Sequence, residues 1–357
     1  VEGFLFQSAP GGVVFGANAR RCSVRRCRFA TLPRKPNSTV SVSGPAASHN
    51  LVEDCVFVGK RRKQVAVQLA CQQWNHHCIV RRCTISGYYY AVQTGGGSYP
   101  TAPPGYHVIE GCDFFENTDG VHSKMTDGIV RHNHLHHNAG HGITIRYGAR
   151  QLIEGNRIDH NGWGIRLHSP SHVVRNNLIY SNRRGGVLLS VFMGEPYYEP
   201  PRSNFLVNNT FWRNGGPAIR IEQGTRCAIM RNIIVGKAPD EWLILREDNP
   251  NKSPGEMSGA IRLAGFNLYH VGRVPLLTEH EGGEGDLFVD PLFVSPEKGD
   301  FRLKKTSPAR DAIPEEYTSL PPIPFGIDAD ARWRTLGAAA DVAATTASYG
   351  ARGGITE

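Results

Sequence analysis

DGVHSKMTDGIVRHNHLHHNAGHGITIRYGARQLIEGNRIDHNGWGIRLHS, running from Asp119 to Ser169, contains one short segment three times. The copies are DGVHSK (Asp119–Lys124), HGITIR (His141–Arg146) and WGIRLH (Trp163–His168), each ending in a basic or imidazole side chain at the same phase. Lys124 to Arg146 is 22 residues, and Arg146 to His168 is 22 again. A fixed period of this size is the mark of a stacked solenoid.

Extending the alignment in both directions gives one column: Cys27, Cys55, Cys83, Cys112, Asn133, Asn156, Asn177, Asn209 and Asn232, at spacings of 28, 28, 29, 21, 23, 21, 32 and 23. Two residues after each member stands an apolar residue: Phe29, Phe57, Ile85, Phe114, Leu135, Ile158, Ile179, Phe211 and Ile234. Before it lie apolar pairs, as in IVRRC, VIEGC and LIEGN. This is period-2 alternation, so each copy contains a short half-buried strand. No helical-period segment intervenes, which argues against β/α units. The expected fold is all-β, a right-handed parallel β-helix of about nine to ten coils stacked at about 4.8 Å. Stacked Asn amides would hydrogen-bond along the axis, and the small Cys thiols would fill the same interior slot in the first four coils.

A second strand follows in each coil, with inward pairs such as Val121/Ser123, Ile143/Ile145 and Ile165/Leu167. Before them runs a column of small residues, Ala66, Ala91, Gly120, Gly142, Gly164, Gly186 and Ala218, suited to a sharp corner or a close ligand. The coils are expected over residues 1–236, with an upstream capping segment. An irregular insertion and capping strands follow over 237–337, where DLFVDPLFV and GDFRLKKTSPARDA cover the open end, and 338–357 reads as a weakly ordered tail. Insertions at 31–38, 98–105 and 192–202 are expected to wall a groove on one side.

The formal charge of +8 and pI near 9.1 point to a polyanionic partner. No apolar run approaches the roughly 18 residues that would span a membrane. Of the eight cysteines, four belong to the ladder, and Cys22 and Cys78 are two coils apart, so buried free thiols are expected rather than disulfides or a zinc cluster.

Outward positions of the second strand form two columns. One reads Gln68, Gln93, His122, Thr144, Arg166, Leu188, Arg220; the other reads Ala70, Gly95, Lys124, Arg146, His168, Ser190, Glu222. Stacked like charges at roughly 5 Å repel unless an anion lies against them, so this face is a candidate groove for an acidic polymer. Basic residues here lack interleaved aromatics at stacking spacing, which disfavours nucleic acid. The histidines of HNHLHHNAGH (His132, His134, His136, His137, His141) flank the ladder or sit in a turn. No carboxylate lies near them in sequence to support a metal ligand, and they read as turn and surface packing. No outward carboxylate pair suited to a glycosidase is evident.

The stretch from Asn50 to about Asn232 resembles polysaccharide lyase family 6, the chondroitinase B and alginate lyase group. The resemblance rests on FVGK (Phe57–Lys60), DGVHSKM (Asp119–Met125), TIRYG (Thr144–Gly148), WGIRL (Trp163–Leu167), NNTF (Asn208–Phe211) and the terminal DPLFV…FRL…SPARDA. It implies Lys124 as general base and Arg146 as the partner that neutralises charge or assists as acid. It also implies calcium, held by an acidic pair before the Lys and an upstream Asn. Here the pair positions are Asn117 and Asp119, and the upstream strand YYYAVQTGGG contains no Asn, so the sequence departs from the calcium-holding pattern. His122, Arg166, His168, Tyr147 and Arg220 would then bind substrate. The family's histidine after the arginine is Tyr147 here, a second possible proton donor.

These residue types suit β-elimination from a uronate chain. That chemistry needs a neutralised C6 carboxylate, a base for the C5 proton and a proton for the leaving O4. A Lys among cations has its pKa lowered, and Arg stays protonated beside it. Tyr88, Tyr89, Tyr197 and Tyr198 are candidate sugar-stacking platforms. The expectation is a secreted or periplasmic, monomeric lyase acting on alginate or a glycosaminoglycan. The alternatives are a glycoside hydrolase or C5-epimerase on the same scaffold, or a non-catalytic acidic-glycan-binding β-helix.

Overall fold

A computed structural model describes residues 1–7, 12–30, 38–44, 46–70, 75–95, 105–190, 203–222, 225–246, 260–274 and 283–312. Its chain winds as the repeat predicts, a right-handed parallel β-helix. Each coil lays down three strands. The coil of Ile129–Arg131, His134–His136 and His141–Ile145 is typical, and its three strands define what we call the third, first and second faces. The third face is a ten-stranded sheet. The first and second are joined by the long strands Val56–Leu69 and Thr84–Thr94, which run through the corner between them. All ladder pairings between coils are parallel and keep side chain above side chain: Val121 pairs with Ile143, and Ile143 with Ile165.

The corners explain why the repeat holds. Asn133 donates both its backbone N–H and its Nδ2 to Asn156 Oδ1, each at 3.0 Å, and Asn156 repeats this with Asn177 at 3.0 and 2.9 Å. In the early coils a thiol does the accepting: Cys27 N–H and Cys83 N–H each point at the sulfur one coil on, at 3.4 Å. Two further ladders occupy the other corners. Asn117, Asn138, Asn161, Asn182 and Asn214 link the first face to the second. At the third corner Cys78 N–H donates to His107 Nδ1 and His172 N–H to Asn204 Oδ1. Buried backbone groups that a bend removes from the sheets are thereby paired.

Inside, the apolar column is fully sequestered: Phe29, Phe57, Ile85, Phe114, Leu135, Ile158, Ile179, Phe211 and Ile234 are each 0% exposed. Each such side chain contributes about 1.5–3 kcal/mol on burial. The small-residue column faces the same interior. A Cβ on Gly142 would stand 2.7 Å from both Gly164 O and Ile158 Cγ2, so the corner is filled by packing and admits no ligand. The seven cysteines among the described residues are free thiols.

Two boundaries differ from the sequence reading. The coils continue past Gly236: Asn232 is followed in the ladder by Asn267 and then Asp286, and Ile244–Arg246, Ala260–Gly265, Leu268–His270 and Leu287–Phe288 add strands. The ladder step from Asn232 to Asn267 spans 35 residues, long enough to hide the period. The terminal hairpin Phe293–Ser295/Asp300–Leu303 does not cover the open end. It lies on the outside of the first face, where Phe301 meets Tyr180 at 4.9 Å and Trp212 at 5.6 Å between ring centroids. Those outer aromatics, with Leu178, Ile233 and Leu268, form a second apolar cluster that needs this cover. The loops at 31–37, 96–104 and 191–202, with Tyr197 and Tyr198, and the tail at 338–357 lie outside the described residues.

Candidate functional site

The second face carries the predicted columns in register. His122 pairs with Thr144, Thr144 with Arg166, Arg166 with Leu188 and Leu188 with Arg220. The other column leaves the strand ends in one geometry. The N–H groups of Lys124, Arg146, His168, Ser190 and Glu222 each donate to the carbonyl of Thr94, Ser123, Ile145, Leu167 and Leu189 on the preceding coil, at 2.8–3.1 Å. Lys124 and Arg146 are therefore successive occupants of one structural position. Their cations share Tyr147: Lys124 Nζ is 5.9 Å and Arg146 Cζ 5.6 Å from its ring centroid. Partial burial, and then the Arg146 charge, lower the Lys124 pKa below its ordinary value. Arg166, also half-buried, has its pKa lowered by burial, and its buried Nε finds no acceptor among the described residues.

The third face shows what the fold does with stacked charge elsewhere. Its outward column reads Arg25, Glu53, Arg81, Glu110, Arg131, Glu154, Arg175, alternating in sign at every coil. The ion pairs are close, as in Arg131–Glu110 and Arg175–Glu154, both 2.7 Å. On the second face, Lys124 and Arg146 follow one another with no such alternation.

Next to the cations sits a carboxylate the coils hold tightly. Asp119 Oδ1 accepts the His141 N–H at 2.9 Å and lies 3.1 Å from His141 Nδ1; its Oδ2 accepts from Thr144 Oγ1 at 3.2 Å. Burial alone would raise its pKa, but His122 and His141 outweigh that and hold it well below the usual carboxylate range. His122 lies under the Tyr90 ring, 4.2 Å between centroids, and its Nδ1 is 3.6 Å from Asp119 Oδ2. Burial keeps His122 below the ordinary histidine pKa. His168, buried beside Ser190 Oγ at 3.1 Å, has its pKa pushed down to about 3 by burial and then by Arg166 and Arg146.

Several expected roles change with this geometry. Asn117 does not face Asp119. It points inward as a ladder member, its Nδ2 donating to Ile85 O and its Oδ1 accepting from Tyr88 N–H. With the Asn117 amide spent inside and the Asp119 oxygens taken by His141 and Thr144, the pair does not fit calcium. Tyr88 is interior, 1% exposed, with its hydroxyl 3.2 Å from Thr39 Oγ1, and offers no stacking platform; Tyr89 is exposed. His122 and His168 are buried groups that shape the face, whereas Arg166, Tyr147 and Arg220 are partly exposed on it. Arg220 lies 3.9 Å from Glu222. Tyr90 and His141 were not singled out for this site. The register of Tyr90 with Asp119, 29 residues apart, was the available signal, masked by the three-tyrosine run.

Residues 65–192 match the family model described as a right-handed β-helix region. No curated protein matches the chain. Among solved structures, a mannuronic acid specific polysaccharide family 6 lyase from human gut microbiota is similar at 18% identity. The match has a TM-score of 0.54 and covers 75% of this chain and 68% of that one. A mutant tailspike protein of E. coli bacteriophage HK620, in complex with a pentasaccharide, is similar at 11% identity with a TM-score of 0.53. That match covers 80% of this chain, which spans 56% of the tailspike. At these identities the likeness is one of fold. Among the described residues, no helix is long and apolar enough to cross a membrane.

Proposed function

We propose that the second face binds an acidic polysaccharide and cleaves it at a uronate residue by β-elimination. The observation that carries this reading is the break in charge alternation. The outward column of the third face alternates in sign from Arg25 to Arg175, whereas Lys124 and Arg146 set like charges at one position on adjacent coils, next to Arg166 with its unaccepted Nε. Such a face is best satisfied by a polymer that brings its own carboxylates. The net charge of +8 has the sign that draws such a polymer in.

In the reaction, Arg146 and Arg166 hold the C6 carboxylate and stabilise charge as it develops there. Lys124, its pKa lowered, is neutral in a larger fraction of molecules and takes the C5 proton. The C5–H electron pair becomes the C4=C5 double bond, and the C4–O4 bond breaks with its pair on O4. Tyr147, against both cations, supplies the proton to O4. Asp119 is held by His141 and Thr144 and serves to fix the two coils. No step passes through calcium. The similarity to a mannuronic acid specific lyase supports alginate as the first polymer to try.

The test is a screen of alginate and glycosaminoglycans for the absorbance of the unsaturated product. Activity should survive chelator and fall by orders of magnitude in Lys124→Ala and Arg146→Ala. Reducing ends without the chromophore would mean a hydrolase. Deuterium exchange at C5 without chain cutting would mean an epimerase, and binding without turnover a glycan-binding β-helix. Each of these outcomes overturns the lyase, as does full activity in both variants.

A further inference from the structure

We propose that Asp113, His134 and His136 form a site for a divalent transition metal of the zinc class on the outside of the first face. His134 and His136 are two apart on one strand and project to the same side, and the register sets Asp113 of the preceding coil beside His134. Asp113 Oδ1 lies 3.0 Å from His136 Nε2 and 3.7 Å from His134 Nδ1, and one ligand atom from each residue lies within 4.8 Å of the others. Two ligands on a tetrahedral ion with bonds of about 2.0–2.1 Å stand roughly 3.3 Å apart, between those two separations. The rings incline at 28°, and the remaining adjustment falls on χ2, a soft torsion for histidine.

A second, independent observation is what holds the far side of each ring. His134 Nε2 is 2.8 Å from Asp159 Oδ1 of the following coil. Asp159 is buried and fixed in turn by Arg157 and His160, at 3.2 and 2.8 Å. His136 Nδ1 is 2.8 Å from His137 Nδ1. Histidine metal ligands characteristically commit their other nitrogen in this way, which fixes the tautomer and aims the free lone pair. In sequence the carboxylates are remote, 21 residues before His134 and 25 after it; only stacking assembles the set. Two imidazoles and one carboxylate favour zinc, cobalt, nickel or copper over calcium. The ligands are half-buried, so solvent can complete the coordination. An ion there ties two coils together, so it stabilises the fold by mass action.

The test uses the whole chain, stripped with chelator, titrated with Co²⁺ by visible absorption and melted with and without Zn²⁺. The variants are His136→Gln, Asp113→Asn, Asp159→Asn and His76→Gln, the last altering a separate histidine group at His49, His76 and His77. Saturable cobalt bands and a zinc-dependent rise in Tm should appear in the unaltered chain and in His76→Gln. Both should vanish in His136→Gln and Asp113→Asn, and affinity should fall about 10-fold or more in Asp159→Asn. Melting of each metal-free variant reports whether it folds, and Asp113→Asn, altering a half-exposed residue, carries the test should His136→Gln not fold. Absence of saturable binding in the unaltered chain overturns the site. So does binding that survives both first-named changes, or that is lost in His76→Gln.

Discussion

Asp119 Oδ1 is engaged twice by one residue of the next coil, His141, through its backbone N–H at 2.9 Å and its ring Nδ1 at 3.1 Å. A carboxylate so occupied is a strut between coils, and this sets a stability prediction. Asp119→Ala strips the acceptor from buried donors and should cost about 1–3 kcal/mol in denaturant unfolding at neutral pH. The folded pKa lies below the ordinary carboxylate value, so the contribution is complete above about pH 4 and disappears as pH falls through the folded pKa. The gap between Asp119→Ala and the unaltered chain should therefore shrink as pH falls below about 4. A gap that keeps widening below about pH 4 would refute the strut.

The ladders differ in what they demand of their members. Asn156 accepts two hydrogen bonds from Asn133 and donates from Nδ2 to Val130 O, at 2.9–3.0 Å. Asn156→Ala leaves the buried Asn133 N–H without its acceptor and takes one further bond each from Asn133 Nδ2, Val130 O and Asn177 Oδ1, and should destabilise by several kcal/mol. Cys55 accepts only a weak N–H···S bond at 3.4 Å, so Cys55→Ala should cost little beyond the small cavity, about 1 kcal/mol. Comparable urea midpoints for the two variants would contradict this ranking.

How much of this was legible follows from what repeats. The first ladder, the interior apolar column and both outward columns of the second face recur at steps short enough to align by eye, and the structure keeps their register. The second Asn ladder was just as regular, but its members stand in polar turns such as HHNAG and DHNGW, where Asn has its own local reasons to occur. Beyond Gly236 the step to Asn267 hid the continuation. The metal ligands were the least legible. His134 and His136 are two apart in sequence, whereas Asp113 and Asp159 reach them only through stacking. Asn117 misled for the opposite reason, since it neighbours Asp119 in sequence but lies on the inner side of the corner.

The pH dependence of turnover follows from Lys124. As base it acts when neutral, and burial together with Arg146 lowers its pKa, so kcat/KM should rise with pH along a limb below that of an ordinary lysine. Arg146→Gln removes one of the two causes. Apart from its loss in rate, this variant should show the limb displaced to higher pH. A limb that stays in place while the rate falls would assign the limb to some group other than Lys124.

Buried histidines set the acid limit of the fold. His107 and His172 are 0% exposed, and burial pushes each pKa down to about 3, with His76 and His77 adding to the effect at His107. Each Nδ1 stands where a neutral imidazole accepts a backbone N–H, from Cys78 at 3.0 Å and from Gln151 at 3.3 Å. An unfolded histidine titrates near 6.5, so below that pH the unfolded chain binds protons that the folded chain refuses. Stability should thus fall progressively from about pH 6.5 toward 3, by roughly 2 kcal/mol per such histidine at pH 5. The corner supplies its own replacement, since Asn204 Oδ1 accepts the His172 N–H one coil on. His172→Asn keeps an acceptor and removes the titration. Melting between pH 8 and pH 4 should show near-equal stability at the alkaline end and a shallower decline for the variant. A decline as steep as that of the unaltered chain would show that His172 takes up its proton without unfolding.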